Sequence, residues 1–253
     1  TGYTCGDLFF QRELQQNAVR ALDSLCQWSE GKKMLMAVGL PLAINGSLYN
    51  CAALVNDGKI LGIVPKTYIP NHQEFYEKRW FASSKSLNRT EIVICSQRVP
   101  IGTDLLFQHV HREEFVVAVE ICEDLWVPIS PGSFHALAGA TVILNPSASN
   151  EVVGKSDYRR ELIRSQSGRC NAAYLYASAG FGESTSDLVF GGNAMICERG
   201  ILLKELPKFN LGNELLITDI DVESLNHDRQ MQHGFGDSVH LLEDRSYRTI
   251  TFE

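Results

Sequence analysis

The stretch FVVAVEICEDLWVPISPGSFHALAGATVILNPS, residues 115–147, decides the fold class. Its first part, FVVAVEI, is a short apolar run rich in β-branched residues, the composition of a buried strand. Two prolines then interrupt the chain, a helix-like stretch runs from Pro131 to Gly139, and TVILN reads as a second buried strand. A strand, a helix and another strand within about thirty residues form the repeating unit of layered α/β proteins.

Working outward, a longer helix is expected from about Ser156 to Ala172, and YLYASAG, LVFGGNAMIC and ILLKEL follow as strands, with Glu198-Arg199-Gly200 turning between the last two. Near the start, Asp7 to Trp28 carries Leu8, Phe9, Leu14, Val19, Leu22 and Leu25 at helical spacing. MLMAVGLPL, LYNCAALV and KILGIVP are β-rich runs, and Asn56-Asp57-Gly58 suits a tight hairpin between the last two. EIVICSQRVP is expected as one further strand. Alternation in the middle and hairpins at the flanks favour an α/β fold with mixed sheets over a purely parallel one. Without an internal repeat, low-complexity tract or linker, residues 1–253 read as a single domain, with about 223–253 a polar C-terminal arm or connector.

The chain has 253 residues, 44% of them hydrophobic, enough to bury a large core. Its net charge of −7 comes without any run of Lys or Arg, which argues against nucleic acid as a partner. No stretch approaches the roughly 20 apolar residues of a membrane span, and TGYTCGDLFF lacks the pattern of a signal peptide. The seven cysteines are odd in number and contain no CxxC pair, so neither a disulfide framework nor a zinc site is expected, and a reducing cytoplasm fits. His109-Val110-His111 alternates onto one strand face with no third ligand nearby, so no metal is expected.

Cys122 ends an apolar strand, where α/β folds present reactive groups. A thiol is mostly protonated at neutral pH, and Glu120, Glu123 and Asp124 would raise its pKa further, so a cation or proton acceptor must come from elsewhere. Lys66 ends its own apolar strand, and Glu74 follows in an aromatic segment. Taken alone, these residues are better explained as a buried structural cysteine and a surface Lys–Glu pair.

Taken together, GIVPKTYIPNHQEFYEKRWF and VEICEDLWVP resemble the lysine and cysteine motifs of the nitrilase superfamily of carbon–nitrogen hydrolases. TGYTCGDLF, LYNCAALVNDGKILGIVPKTYIPN, NPSASNEVVGKSDYRRELIRSQSGRCNAAYLYASAG and GESTSDLVFGG resemble the glutaminase (glutamine amidotransferase) domain of glutamine-dependent NAD synthetases, from Thr1 to about Asp221. The resemblance implies a four-layer α-β-β-α sandwich, here without the family's first strand–helix segment. It implies that Cys122 attacks the side-chain amide of glutamine, releasing ammonia and leaving a thioester that water hydrolyses to glutamate. Lys66 would stabilise the oxyanion, and Glu74 would be the second glutamate, orienting the lysine and the substrate amide. For substrate binding it suggests Glu123 and Glu77 at the amino end, Phe75 and Trp126 as walls, Ser149 and Lys155 near the substrate or its lid, and His72 at the position of a pocket aromatic.

The family's general-base glutamate lies upstream of the TGY block, so the chain as it stands is expected to be nearly inactive. No SGGxDS-type pyrophosphate loop is present; ATP and the NAD precursor are expected only on a separate synthetase domain, with no cofactor here. The resemblance also implies a homo-oligomer. A free-standing amidase or carbamoylase acting on another small amide, and a catalytically impaired domain kept for assembly, are the competing readings.

Overall fold

The computed structural model describes residues 2–183, 186 and 188–253; Thr1 of the TGYTCGDLF block and Ser184, Thr185 and Asp187 of GESTSDLVFGG lie outside the described residues. Three antiparallel strands, β1 (Met36–Ile44), β2 (Ser47–Asn56) and β3 (Lys59–Pro65), form a small sheet with β2 in the middle. Because β2 is covered on both faces, it is apolar at nearly every position instead of at alternate ones. Cys51, Ala53 and Val55 face outward beneath Leu22 and Cys26 of helix α1 (Arg12–Ser29), whereas Ala52 and Leu54 face inward. The β2–β3 turn places Asp57 and Gly58 at φ 44° and 74°, the left-handed pair that the twist of a two-residue hairpin demands.

A two-stranded hairpin, β4 (Glu91–Ile94) and β5 (Gln97–Pro100), packs at the side of the small sheet. The second main sheet has seven strands: β6 (Leu105–His109), β7 (Arg112–Val119), β8 (Val142–Ser147), β9 (Ala173–Ser178), β10 (Ala194–Glu198), β11 (Ile201–Glu205) and β12 (Arg248–Phe252). Their order is β11-β10-β9-β8-β7-β6-β12; β7, β8 and β9 run parallel, β6 and β12 run parallel to each other, and the remaining pairs are antiparallel. Between the sheets Ala52, Leu54, Leu61 and Val64 meet Phe107, Val117, Val119 and Val142. Helices α2 (Pro131–Leu137) and α3 (Lys155–Arg169) cover the outer face, setting Ala136 and Ile163 against Ile143, Tyr174 and Met195. The layers are thus α-β-β-α with mixed strand directions, the expected class.

Four details depart from the sequence reading. EIVICSQRVP is two strands, turning at Cys95 and Ser96 with φ 48° and 60°, and no glycine or asparagine marks that turn. The early helix is broken at Gln11, whose extended backbone separates a 3-10 turn, Gly6–Phe10, from α1; this turns Leu8 to solvent while Phe9 is buried. LVFGGNAMIC becomes strand only from Ala194, after Gly192 adopts φ 68°. The stretch read as an arm carries helices α4 (Val222–Met231) and α5 (His233–Asp237) and then β12. There Arg229 donates to the carbonyls of Ala140, Cys170 and Asn171, sealing the amino-terminal ends of β8 and β9. At the hairpin-like end of β6, His109 packs on Phe115 and Phe252.

Candidate active site

The carboxyl ends of parallel strands leave their next residues pointing into a crevice, and the chemistry-bearing residues gather there. Glu120 N–H makes the last sheet-like bond, to Leu144 O at 3.1 Å; the chain then turns into the 3-10 stretch Cys122–Leu125 with Cys122 at φ 48°. A left-handed, non-glycine residue costs about 1–3 kcal/mol and tends to mark a functional turn. Its own N–H donates to Asn145 Oδ1 at 3.1 Å. Glu123 is second in this turn, so its N–H has no carbonyl a turn behind it within the helix and is free to face a ligand oxygen.

Lys66 follows β3, its N–H bonded to Asn50 O at 2.8 Å. The side chain is only 1% exposed, and its ammonium contacts both oxygens of Glu77 at 2.9 Å. Burial, the largest single influence, would lower the Lys66 pKa, but the charge and hydrogen bond of Glu77 together with the charges of Cys122 and Asp124 outweigh it, and the net shift is upward. Tyr3 Oη donates to Glu77 Oε1 at 2.7 Å. Tyr3, Lys66 and Cys122 line one cavity of about 530 Å³, together with Ser147, Ser178 and Glu183.

Glu74 is placed differently from the reading that made it the lysine's partner. Its Oε1 accepts from Asn150 Nδ2 at 2.5 Å; its own backbone N–H first, and that bond after it, hold its pKa low. Glu77, expected at the substrate's amino end, is instead committed to Lys66 and Tyr3. The physical reason is that residues 66–76 have no regular period; the turn Glu77–Arg79, anchored by Glu77 N–H to Pro70 O at 3.1 Å, decides which carboxylate comes back to the lysine.

Around this pair stand most of the other expected residues. Lys155 Nζ lies 5.1 Å from the Phe75 ring centroid and 5.4 Å from that of Trp126, and donates to Asn150 Oδ1. Its pKa is lowered by burial, against the opposing charge of Glu74. Half-buried Glu123 is shifted up by burial and drawn back by His72, Lys66 and Lys155, so these charges share one field. His72 is exposed, with its ring 6.2 Å from Phe75. Ser149 is buried and turned to Arg159 Nη1 at 3.3 Å.

Sequence reasoning missed several contributors. Asp124 accepts from Ile121 N–H at 2.9 Å and Tyr68 N–H at 2.8 Å, tying the cysteine turn to the loop after Lys66; burial raises its pKa to about 6. Glu183 accepts from Tyr3 N–H, Thr4 N–H and Thr4 Oγ1 at 2.9, 3.0 and 2.6 Å, which holds Tyr3 against Glu77. Arg159 is fully buried against Glu151. These residues lie in polar or charged stretches, EICEDL, KSDYRREL and FGES, where nothing in the sequence singles them out or reveals a partner. Among the described residues no group of three His, Cys, Asp or Glu side chains is arranged to hold a metal.

Residues 1–230 match the carbon-nitrogen hydrolase family. The chain is 41% identical over 254 aligned positions to a glutamine-dependent NAD(+) synthetase of Mycobacterium tuberculosis, covering all of this chain and 37% of that relative. It therefore spans little more than a third of the length of such relatives. A glutamine-dependent NAD(+) synthetase from Cytophaga hutchinsonii superposes with a TM-score of 0.71 at 30% identity, over 82% of this chain and 33% of that one. A carbon-nitrogen hydrolase from Helicobacter pylori has the same fold, with a TM-score of 0.70 at 18% identity over 98% of this chain and 82% of its own. With its four layers and its cysteine turn at the strand ends, the chain belongs to the carbon-nitrogen hydrolase family, within the nitrilase superfamily.

Proposed function

We propose that this site hydrolyses the side-chain amide of glutamine to glutamate and ammonia through a thioester on Cys122. The observation that carries the reading is the buried Lys66 ammonium, held charged by Glu77 beside the cysteine turn. A permanently protonated lysine suits stabilisation of an oxyanion and does not suit a base. Cys122 Sγ attacks the amide carbon, and the Lys66 ammonium and the Glu123 N–H receive the developing oxyanion. The tetrahedral adduct expels ammonia, and water cleaves the thioester. Removal of one oxyanion donor costs about 10²- to 10³-fold in rate.

The substrate's α-carboxylate suits Lys155 and its α-amino group suits Glu123 and Glu74, with Phe75 and Trp126 as apolar walls. The likeness to NAD synthetases supports ammonia delivery to a synthetase domain that binds ATP and an NAD precursor. Ammonia release measured with glutamine, asparagine, simple nitriles and carbamoyl amino acids tests the reading. Turnover of another amide without turnover of glutamine overturns it.

Among the described residues no carboxylate is hydrogen-bonded to Cys122 Sγ, and Glu77 is engaged by Lys66. The reading assigns the thiol proton to a glutamate of an upstream PEL-type segment. Residues 1–253 alone are expected to release ammonia about 10²- to 10⁴-fold more slowly than a chain that includes it. Equal rates from the two would remove that assignment.

A further inference from the structure

Cys122 keeps φ at 48° without being glycine, so its surroundings must hold it there. Its N–H donates to Asn145 Oδ1 at 3.1 Å, Asn145 Nδ2 donates to Tyr174 Oη at 2.8 Å, and Tyr174 Oη donates to Glu120 Oε1 at 2.5 Å. Gly132 N–H takes the other carboxylate oxygen at 2.7 Å. Asn145, Tyr174 and Glu120 are each at most 1% exposed. A Cβ at residue 132 would meet that carboxylate at 2.9 Å, so the close approach of the α2 backbone requires a glycine.

Each bond in this series has only one workable direction. The Cys122 N–H only donates, so Asn145 turns Oδ1 to it and Nδ2 to the tyrosine oxygen, and with Glu120 ionised the tyrosine hydroxyl donates to the carboxylate. The opposite amide orientation would set two donors against each other. The end of β7, β8, β9 and α2 are thereby joined through three side chains, and none of the three lines the cavity.

We propose that Glu120, Tyr174 and Asn145 are positioning residues that fix the backbone of Cys122 in its left-handed turn and aim its sulfur into the cavity. This rests on the reading of Cys122 as the nucleophile. The three act through the cysteine backbone and touch neither substrate nor sulfur. A hydrophobic replacement of Asn145 leaves the Cys122 N–H buried without a partner and takes from the Tyr174 oxygen the donor it accepts from, and the turn relaxes.

The test compares Asn145→Ala, Tyr174→Phe, Glu120→Gln and Cys122→Ala in the full chain, measuring kcat and KM for ammonia release, melting temperature, and Cys122 alkylation by iodoacetamide. Misplacement of a reacting group by about 1 Å costs on the order of 100-fold. Asn145→Ala and Tyr174→Phe are therefore expected to lower kcat about 10- to 100-fold with KM within about twofold. Glu120→Gln keeps an acceptor oxygen for Tyr174 but turns its amide NH2 toward the Gly132 N–H, and is expected to lower kcat by less than Tyr174→Phe does. Alkylation by the small unpositioned reagent is expected to stay within about twofold, since it needs an accessible thiolate and no aim.

A folded Asn145→Ala variant with unchanged kcat overturns the proposal, as does a loss confined to KM. Where Asn145→Ala does not fold, Tyr174→Phe, which removes a single oxygen, decides on the same terms. Full activity of Cys122→Ala would instead overturn the nucleophile reading, so the two failures are distinguishable.

Discussion

Glu77 and Glu74 lie three positions apart in the sequence, yet only Glu77 meets the buried lysine. Replacing Glu77 by Gln leaves an ammonium buried without its counter-charge, so kcat is expected to fall at least about 100-fold. Glu74→Gln touches the rim and is expected to act mainly on KM, by less than about tenfold. Steady-state kinetics on glutamine separates them, and equal losses would refute the placement. Glu120 makes a pH-dependent contribution to stability. Burial raises its pKa to about 7, opposed by bonds from Tyr174, Gly132 and Ser130 and reinforced by the charge of Asp124. A carboxyl that holds its proton more tightly folded than unfolded contributes stability fully below the unfolded pKa, near 4.5, and loses it as pH rises through about 7. The contribution is on the order of a few kcal/mol. The melting temperature of Glu120→Gln relative to the parent should therefore rise between pH 4.5 and 7.5; a flat difference would contradict it. These partners could not be read from the sequence. Cys122 and Lys66 stood out because each ends an apolar run, but Glu77 and Asp124 acquire meaning only through contacts across irregular loops, and Asn145 only through contacts between neighbouring strands.

At the scale of elements, periodicity was informative wherever a strand or helix was long and uniformly covered. KILGIVP coincides with β3, and the strand–helix alternation from residue 115 onward gave the parallel β7-β8-β9 core. Periodicity failed at turns built without glycine and at elements stabilised by docking. The β4–β5 turn holds Ser96 at φ 60° on the surface. Ser96→Gly is expected to stabilise the chain by up to about 1 kcal/mol in urea unfolding, because glycine adopts that backbone without strain. β12 has a weak apolar pattern and exists through its pairing with β6 and the burial of Phe252, 6% exposed. Phe252→Ala is expected to cost about 3 kcal/mol by the same measurement. A change under 1 kcal/mol would show that the strand is not docked.

For the molecule as a whole, the fold class followed from pattern, while the closeness of the two sheets did not. Lys66 leaves β3 of the small sheet and Cys122 leaves β7 of the large one, so no single sheet carries the site. At Gly62 in β3 an added Cβ would meet the Phe107 ring at 2.9 Å, with Leu105 close behind. Gly62→Ala therefore forces a wedge between the sheets, at about 1–3 kcal/mol. Ammonia release is expected to fall by more than the melting temperature suggests, whereas an equally destabilising change on the outer face of α3 should leave kcat intact. Because its lysine and cysteine ride on separate plates, the proposed glutaminase site is a gauge of the gap between them. Heat, pressure or a crowded mutation that widens this gap by a fraction of an ångström should silence the proposed activity while the chain is still folded.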